Sequence, residues 1–300
     1  MDSPGNARNR HVKSEKRREF RMLLKQPELL FAILFVFAVL IIFCIYPIVR
    51  LFISCLTDKS GQLNLDNINY VFTKTDFFQA FWNSVKLGLF VGLMATIVGY
   101  VYAFAITRTS LPGKKFFNIM AILPILSPPF VISLAVMLLF GRSGLITKNL
   151  LHIRNNNIYG FTWLSIVQIL SLFPLAYLNL KGMLETLDSS VENASRTLGA
   201  GSGHIIFREI LPNTVGPIIT QMMFSIPTAI FTEAFLSFVG VGIVLPQCSI
   251  GTLIEEGFNN ITILPYQILP PILVLALLML GFNFIGDGLR EALAPKLEDM

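Results

Sequence analysis

Charged residues are scarce in this 300-residue chain. Asp, Glu, Lys and Arg make up 14% of it, whereas a soluble domain carries about 25%. Hydrophobic residues make up 54%, which is more than a single soluble core requires. The low charge argues against an ordinary soluble enzyme, and the high hydrophobicity excludes a disordered protein.

Cysteine and histidine are also rare, with three of each. The cysteines form no CxxC motif and the histidines have no metal-ligand spacing, so neither a disulfide framework nor a metal site is predicted. The chain lacks the phosphate-loop pattern G-x-x-x-x-G-K-[ST], and also H-E-x-x-H and G-x-S-x-G. We therefore predict that it is not an enzyme, has no catalytic residues and cannot hydrolyse ATP itself.

Long apolar runs are present where charge is missing. Six of them approach the roughly 20 residues that a helix needs to cross a bilayer. The sequence therefore predicts an all-α, polytopic membrane protein with spans at 29–48, 82–106, 116–140, 159–180, 215–238 and 266–285. Gly88 and Gly92, with Gly99 beyond them, predict close helix packing in the second span.

The basic residues are unevenly distributed. Eight Lys or Arg precede the first apolar run, and sixteen of the 23 lie in segments that are inside if the N-terminus is inside. Loops rich in Lys and Arg stay on the cytoplasmic side, so both termini are predicted to be cytoplasmic. Residues 1–28 are interpreted as a basic cytoplasmic tail and 29–300 as the membrane domain. A nucleic-acid-binding arm is the disfavoured alternative in so apolar a chain.

Two connections are informative. Residues 181–213, the hairpin segment, carry apolar residues at helical spacing on both sides of a glycine-rich stretch that begins at Gly199, which predicts an amphipathic helix–turn–helix ending at Pro212. Such a hairpin fits a groove in a partner, or alternatively lies on lipid.

Residues 239–265 contain no Lys or Arg and several Gly, so this outer segment either dips into the membrane or caps it, or forms a plain surface loop.

Recognisable residues occur in the hairpin segment. The run Asn193-Ala194-Ser195-Arg196-Thr197-Leu198-Gly199, followed by Ile210-Leu211-Pro212, resembles the EAA loop of ABC importer permeases. The family pattern is E-A-A, three residues, G, and then a downstream L-P. Asn193 replaces the motif's Glu and Ser195 replaces its second Ala, while Gly199 and Leu211-Pro212 have the required spacing.

The resemblance differs between the two halves of the chain. Residues 195–300 resemble the C-type permease of oligopeptide, dipeptide and nickel importers, through stretches such as Thr232-Glu233-Ala234-Phe235-Leu236-Ser237-Phe238 and Asn283-Phe284-Ile285-Gly286-Asp287. Residues 30–195 look more like ferric-iron, thiamine and polyamine permeases, through Trp82-Asn83-Ser84 and Ala121-Ile122-Leu123-Pro124. The chain therefore reads as a hybrid with its seam in the EAA-type loop.

The resemblance implies partners. A binding-protein-dependent importer of this kind contains two separate ATPase subunits, a second permease subunit (a homologue or a second copy) and an extracytoplasmic substrate-binding protein, all in membrane lipid. ATP and magnesium would bind to the ATPases, and no cofactor to this chain. Gly199 would set the turn of the hairpin, and Leu198, Ile205 and Ile206 would fill the ATPase groove. The full set of implied coupling residues is Asn193, Ala194, Ser195, Arg196, Leu198, Gly199, Ile205, Ile206, Arg208, Leu211 and Pro212.

Three further residues are candidates for the transport path. Glu233 is a carboxylate in an apolar span, where it is costly unless it is paired or faces water. It is interpreted either as a pathway or gating residue, or as a side chain that snorkels or forms a helix–helix hydrogen bond near the interface. Pro128 and Pro129 should kink or unwind the third span, and a simple kink is favoured over a discontinuous span.

Three functions remain open on the sequence. The first is an ABC importer permease for peptides or nickel, and the second keeps that mechanism but carries ferric iron or a polyamine. The third is a membrane protein without an ATPase partner, such as a secondary transporter. Secondary transporters usually show an internal repeat, and the chain shows no convincing one.

Overall fold

The computed structural model describes residues 26–57, 62, 64, 66–74, 76–141, 144–150, 152, 160–187, 195, 197–243 and 247–293. These residues form helices and no strand. In chain order the α-helices are α1 (Pro27–Leu40), α2 (Tyr46–Leu56), α3 (Asp66–Lys74), α4 (Phe77–Arg108), α5 (Lys114–Ile122), α6 (Pro129–Phe140), α7 (Leu145–Asn149), α8 (Phe161–Thr186), α9 (Ser202–Ile205), α10 (Leu211–Phe238), α11 (Ile250–Asn259) and α12 (Leu269–Leu293). Short π-turns (Ile41–Ile45, Ile206–Ile210) and 3-10 turns (Leu123–Leu126, Pro265–Gln267) complete the set.

Six segments are long and apolar enough to cross a membrane, which confirms the predicted all-α polytopic fold; the third of them includes residues 142–143, which lie outside the described residues. They are Pro27–Leu56, Phe77–Arg108, Phe130–Asn149, Phe161–Thr186, Gly203–Phe238 and Pro265–Leu293. The chain divides into two units, residues 1–64 and 65–300. In the first unit, α1, a π-turn and α2 form one helix, eight residues longer at its end than predicted. The turn ends two residues before Pro47, whose ring and missing backbone N–H disturb the regular α-helical pattern there.

Helices α4, α8 and α10 form the centre of the second unit, and glycines allow them to approach closely. A Cβ on Gly88 would lie 2.3 Å from the Ile230 side chain, and one on Gly92 would lie 2.7 Å from that of Ile226. A Cβ on Gly99 would lie 2.7 Å from that of Ala176. The predicted close packing is thereby confirmed: Gly88 and Gly92 contact α10, and Gly99 contacts α8.

The predicted third span, 116–140, is discontinuous and the observed one begins only at Phe130, so the prediction of a simple kink was wrong. Helix α5 ends at Ile122, a 3-10 turn follows, and the chain is extended at Ser127 (ψ 137°) and Pro128 (ψ 146°) before α6 begins. Each extended residue precedes a proline, whose ring disfavours the helical region for the residue before it. Two consecutive prolines therefore interrupt the helix completely. Pro128 is exposed at the break.

The helix that leads into the fifth span does not stop at Pro212, contrary to the prediction. Residues from Ser202 to Phe238 form a continuous helical run. The π-turn immediately before Pro212 makes this possible, because the Leu211 N–H bonds to the Ile206 carbonyl five residues back. The wider turn accommodates the proline, which lacks an N–H and crowds the preceding turn of an α-helix.

The segment between the fifth and sixth spans contains a packed helix, which favours the capping interpretation over a plain surface loop. Helix α11 begins with a capping box in which Ser249 accepts from the Thr252 N–H and Thr252 accepts from the Ser249 N–H. A Cβ on Gly251 would lie 2.6 Å from the Ala234 Cα, and one on Gly257 would lie 2.7 Å from the Ile268 Cα. Helix α11 therefore packs on α10 and on the start of the sixth span.

Candidate functional site

The turn of the hairpin segment is formed as predicted. Gly199 has φ +85°, a left-handed conformation that glycine adopts without strain. The Ala200 N–H bonds to the Ser195 carbonyl at 3.0 Å, which is the six-to-one bond of a Schellman motif with Gly199 as its left-handed residue. Of the other implied coupling residues, Asn193, Ala194 and Arg196 lie outside the described residues.

Exposed apolar side chains lie on either side of this turn. Leu198 is 88% exposed and Phe207 is 72% exposed. Arg208 and Pro212 are also exposed, whereas Ile206 and Leu211 are half-buried. Exposed apolar side chains beside a tight turn have the chemistry of a docking surface.

Ile205 does not belong to this exposed face, so its predicted role of filling a partner's groove is wrong. It is 3% exposed and lies in a cluster of buried residues that also contains Leu180, Leu184 and Ile210. Ile205 and Ile210 are five residues apart, which in an α-helix would separate them by about 140°. The π-turn at Ile206–Ile210 rotates both side chains toward α8.

Two ends of the second unit can now be distinguished. The hairpin end is the end at which α4 and α8 finish and α9 begins. The far end is the end at which α4 and α8 begin and α10 finishes. A cleft of about 470 Å³ opens at the hairpin end between α8, α10 and α12. Its lining includes Asn179 and Gln221, whose side chains hydrogen-bond at 2.8 Å, and the exposed Arg290.

Glu233 lies at the far end, fully buried between helices. Ser84 Oγ of α4 donates to Glu233 Oε2 at 2.9 Å, and Ser237 Oγ donates to Oε1 at 2.7 Å. Each hydroxyl in turn accepts a backbone N–H, from Ile250 at 3.0 Å and from Ile243 at 3.2 Å. These accepted bonds leave the hydroxyl hydrogens to point at the carboxylate.

The geometry of Glu233 favours the helix–helix interpretation over the pathway interpretation. Two chains of hydrogen bonds run from backbone amides through serine hydroxyls to one carboxylate, and they join α4, α10 and the start of α11. Ser249 Oγ approaches Ser237 Oγ at 3.4 Å and extends this far-end network. In this conformation Glu233 faces no open space.

Several of these residues were not singled out by sequence reasoning. Ser84 and Ser249 lie 149 and 16 positions from Glu233, so no local pattern connects them with it. An α-helical period assigns the contact face to Ile205 and Ile206, so it does not identify Phe207 as a contact residue. The signal that could have revealed it is Pro212, since a proline inside a helix often accompanies a wider turn just before it.

Residues 88–299 match the protein family described as "Binding-protein-dependent transport system inner membrane component". Among curated relatives, the oligopeptide transport system permease protein OppC of Bacillus subtilis is 46% identical over 104 residues, 35% of this chain and 34% of that protein. The dipeptide transport system permease protein DppC of the same species is 33% identical over 232 residues, 74% of this chain and 66% of that protein.

A second kind of relative is the putative ferric transport system permease protein FbpB 1 of Haemophilus influenzae. It is 31% identical over 185 residues, which cover 60% of this chain and 29% of that protein. Matches of both kinds confirm the mixed resemblance predicted from the sequence. The chain spans from 29% to 66% of the length of these three relatives.

Solved structures share the fold at low sequence identity. A bacterial ABC transporter involved in the import of the acidic polysaccharide alginate matches with a TM-score of 0.69 and 15% identity, over 93% of this chain and 100% of that one. The MetNI methionine ABC transporter, in an inward-facing conformation, matches with a TM-score of 0.56 and 14% identity, over 73% and 96% of the two chains.

Proposed function

This chain belongs to the family of inner-membrane components of binding-protein-dependent transport systems, and we propose that it is a permease subunit of an ABC importer for peptides. Substrate would move inward by alternating access, driven by separate ATPase subunits. The observation that carries the proposal is the left-handed turn at Gly199 with Leu198 and Phe207 exposed beside it. These two apolar side chains would enter the ATPase groove.

The proposed assembly follows from this assignment. The hairpin end faces the cytoplasm, with both termini inside, and contacts the ATPase subunits. ATP and magnesium bind to those subunits, and no cofactor binds to this chain. A second permease subunit completes the membrane bundle, a substrate-binding protein docks at the far end, and nucleic acid has no role. Residues 1–28 form the cytoplasmic tail, and 29–300 form the permease domain with 181–213 as its coupling loop.

The identity to OppC and DppC of Bacillus subtilis supports peptides as the cargo, with nickel as the related possibility raised by the sequence. A second candidate cargo is ferric iron, favoured by the identity to FbpB 1 over 185 residues. Proteoliposomes that contain the complex purified from its native membrane would be tested for uptake of a labelled mixed peptide pool and of radiolabelled ferric citrate. Uptake of peptides but not of ferric citrate supports the first candidate, and the reverse supports the second.

Docking would be tested by affinity purification from the native membrane and mass spectrometry of what accompanies the chain. Leu198→Asp and Phe207→Asp should each reduce recovery of the ATPase by about thirtyfold, the factor that corresponds to losing a binding hot spot. Ile263→Asp is the matched control, because Ile263 is 75% exposed but lies between α11 and the sixth span.

Recovery of no ATPase with the wild-type chain would contradict the proposal and favour a transporter without an ATPase. Full recovery of the ATPase with both Leu198→Asp and Phe207→Asp would contradict the docking surface. Equal loss with Ile263→Asp would do the same, because the effect would then not depend on the hairpin.

A further inference from the structure

Arg108 supplies a charged cap to a helix other than its own. It is the last residue of α4, and its Nη2 donates to the carbonyl oxygens of Leu184 at 2.8 Å and Leu187 at 3.1 Å. Both carbonyls lie at the C-terminal end of α8. The last carbonyls of a helix have no partner within the helix and form the negative end of its dipole. A guanidinium is therefore bound there by charge and by hydrogen bonds together.

The capped carbonyls lie at the root of the hairpin. Helix α8 ends at Thr186, and Leu187 is its extended cap residue (φ −70°, ψ 130°). The chain continues from Leu187 toward the turn at Gly199, so Leu187 is the covalent link between α8 and the hairpin. One of the two Arg108 bonds holds this residue, and the other holds the last turn of the helix before it.

The second arm of the hairpin returns to the same place. Leu184 is fully buried, and it belongs to the same cluster as Ile106 of α4 and as Ile205 and Ile210 of the returning arm. The end of α4 therefore bonds to the root of the first arm, and its Ile106 lies in the same apolar cluster as Ile205 and Ile210 of the second arm. By contrast, Leu198 at the turn itself is exposed.

We propose that Arg108 is a positioning residue that couples the hairpin segment to the second span. The proposal rests on the proposed function, in which the hairpin is pulled by an ATPase. Movement of the hairpin root would be transmitted through the two guanidinium–carbonyl bonds to α4, so that α4 and α8 shift together. Without these bonds the chain would bend at Leu187 and α4 would not follow.

Geometry and charge make separable contributions at this position. The planar guanidinium presents two N–H groups on one nitrogen, which reach two carbonyls at once. Lysine keeps the positive charge near the helix end but loses this fixed fork, and glutamine loses both. Coupling should therefore decrease in the order Arg, Lys, Gln. Lys115, which is exposed in α5, provides a control for the loss of one positive charge close to the same end.

The experiment uses the complete complex in nanodiscs, with and without ATP and vanadate, followed by hydrogen–deuterium exchange. In the wild type, trapping should change the exchange of residues 197–213 and of Phe77–Arg108. In Arg108→Gln, the ATPase subunits, their ATP hydrolysis and the hairpin response should remain. The response of Phe77–Arg108 should fall by about tenfold, the factor for one charge-assisted hydrogen bond. Arg108→Lys should be intermediate, and Lys115→Gln should match the wild type.

An unchanged response of Phe77–Arg108 in Arg108→Gln would overturn the inference. If Arg108→Gln already speeds exchange in α4 before ATP is added, the Arg108→Lys variant decides the question. A weakened response of Phe77–Arg108 to trapping, from wild-type exchange before ATP, would support the coupling. A full response would overturn it. If Arg108 served only as a structural cap, Arg108→Gln would lower protection from hydrogen exchange, but the responses of residues 197–213 and of Phe77–Arg108 to trapping would still change together. Absence of any ATPase from the wild-type complex would instead overturn the proposed function, and the inference with it.

Discussion

The two ends of the second unit differ in how far their side chains are satisfied by contacts within the chain. At the far end, a carboxylate is buried and satisfied by two serines, which are themselves satisfied by backbone amides. At the hairpin end, Leu198 and Phe207 remain exposed beside a tight turn. One end is closed by its own hydrogen bonds, whereas the other presents surface that a partner can cover. Substitutions at the far end should therefore lower stability, and substitutions at the hairpin turn should lower association.

The largest effect is expected at Glu233. Glu233→Ala removes the acceptor on which both hydrogen-bond chains end, and it leaves the Ser84 and Ser237 hydroxyls unsatisfied in the core. The free energy of unfolding should fall by about 2 to 4 kcal/mol, since two buried hydroxyl donors lose their acceptor, as measured by SDS titration of the purified chain. Glu256→Ala is the control, because Glu256 is exposed on α11. Equal losses in the two variants would mean that the far-end network does not stabilise the fold.

Two buried glutamines sharpen the contrast between satisfied and unsatisfied polar groups. Gln221 bonds to Asn179 and Ser225. Gln168 is fully buried, and its amide nitrogen and oxygen have no hydrogen-bond partner in the part of the chain that the structure describes. In the same titration, Gln221→Leu should destabilise and Gln168→Leu should stabilise the fold, each by about 1 to 3 kcal/mol. If the free energy of unfolding changed in the same direction in both variants, the distinction between satisfied and unsatisfied glutamines would be refuted.

A smaller effect is expected at Ser249, which caps α11 and extends the far-end network. Ser249→Ala removes the acceptor of the Thr252 N–H, so stability should fall by about 1 kcal/mol. Hydrogen exchange should show the loss first at the start of α11. Ser249→Asp tests the cap separately, because Asp also caps helices but places a second carboxylate near Glu233. Faster exchange with Asp than with Ala would show that the nearby carboxylate outweighs the cap.

The smallest effect on stability is expected at Gly199. A Cβ there meets no atom within 4 Å, so Gly199→Ala should change the free energy of unfolding by less than about 0.5 kcal/mol. It should still weaken ATPase association by about tenfold, because the unpacked turn can relax out of the left-handed conformation in the free chain, and docking must restore it at a cost of roughly 1 to 2 kcal/mol for a non-glycine residue. Gly201→Ala is the control, since Gly201 also faces open space but has no positive φ. A large loss of stability in Gly199→Ala would contradict the division in which the far end determines stability and the hairpin turn determines association.

The hairpin shows where sequence reasoning succeeded and where it failed. Gly199 was predictable because the need for a left-handed residue is local and glycine meets it at no cost. The burial of Ile205 and the continuous helix through Pro212 were not predictable from an α-helical period, because the π-turn changes the angle between successive side chains. The roles of Leu198, Arg208 and the residues at 193, 194 and 196 in ATPase binding stay predictions.

Long-range contacts were the other source of error. Glu233 was recognised as a costly carboxylate, but its donor Ser84 lies on a helix 149 residues earlier. Arg108 was counted as one of several positive charges near a membrane face, and its bonds to Leu184 and Leu187 became visible only when α4 and α8 were placed side by side. Sequence spacing carries no information about which helices become neighbours.

The sequence by itself determined the number of spans, the glycines that allow them to approach and the glycine that forms the hairpin turn. Each of these follows from local composition, because a bilayer demands about 20 apolar residues and a left-handed turn demands glycine. Only the packing of the helices shows which side chains stay exposed beside the hairpin turn, which carboxylate is satisfied and which arginine bonds to the end of α8. These features depend on how helices pack and on where one π-turn rotates the chain, and both are set by contacts between residues far apart in sequence.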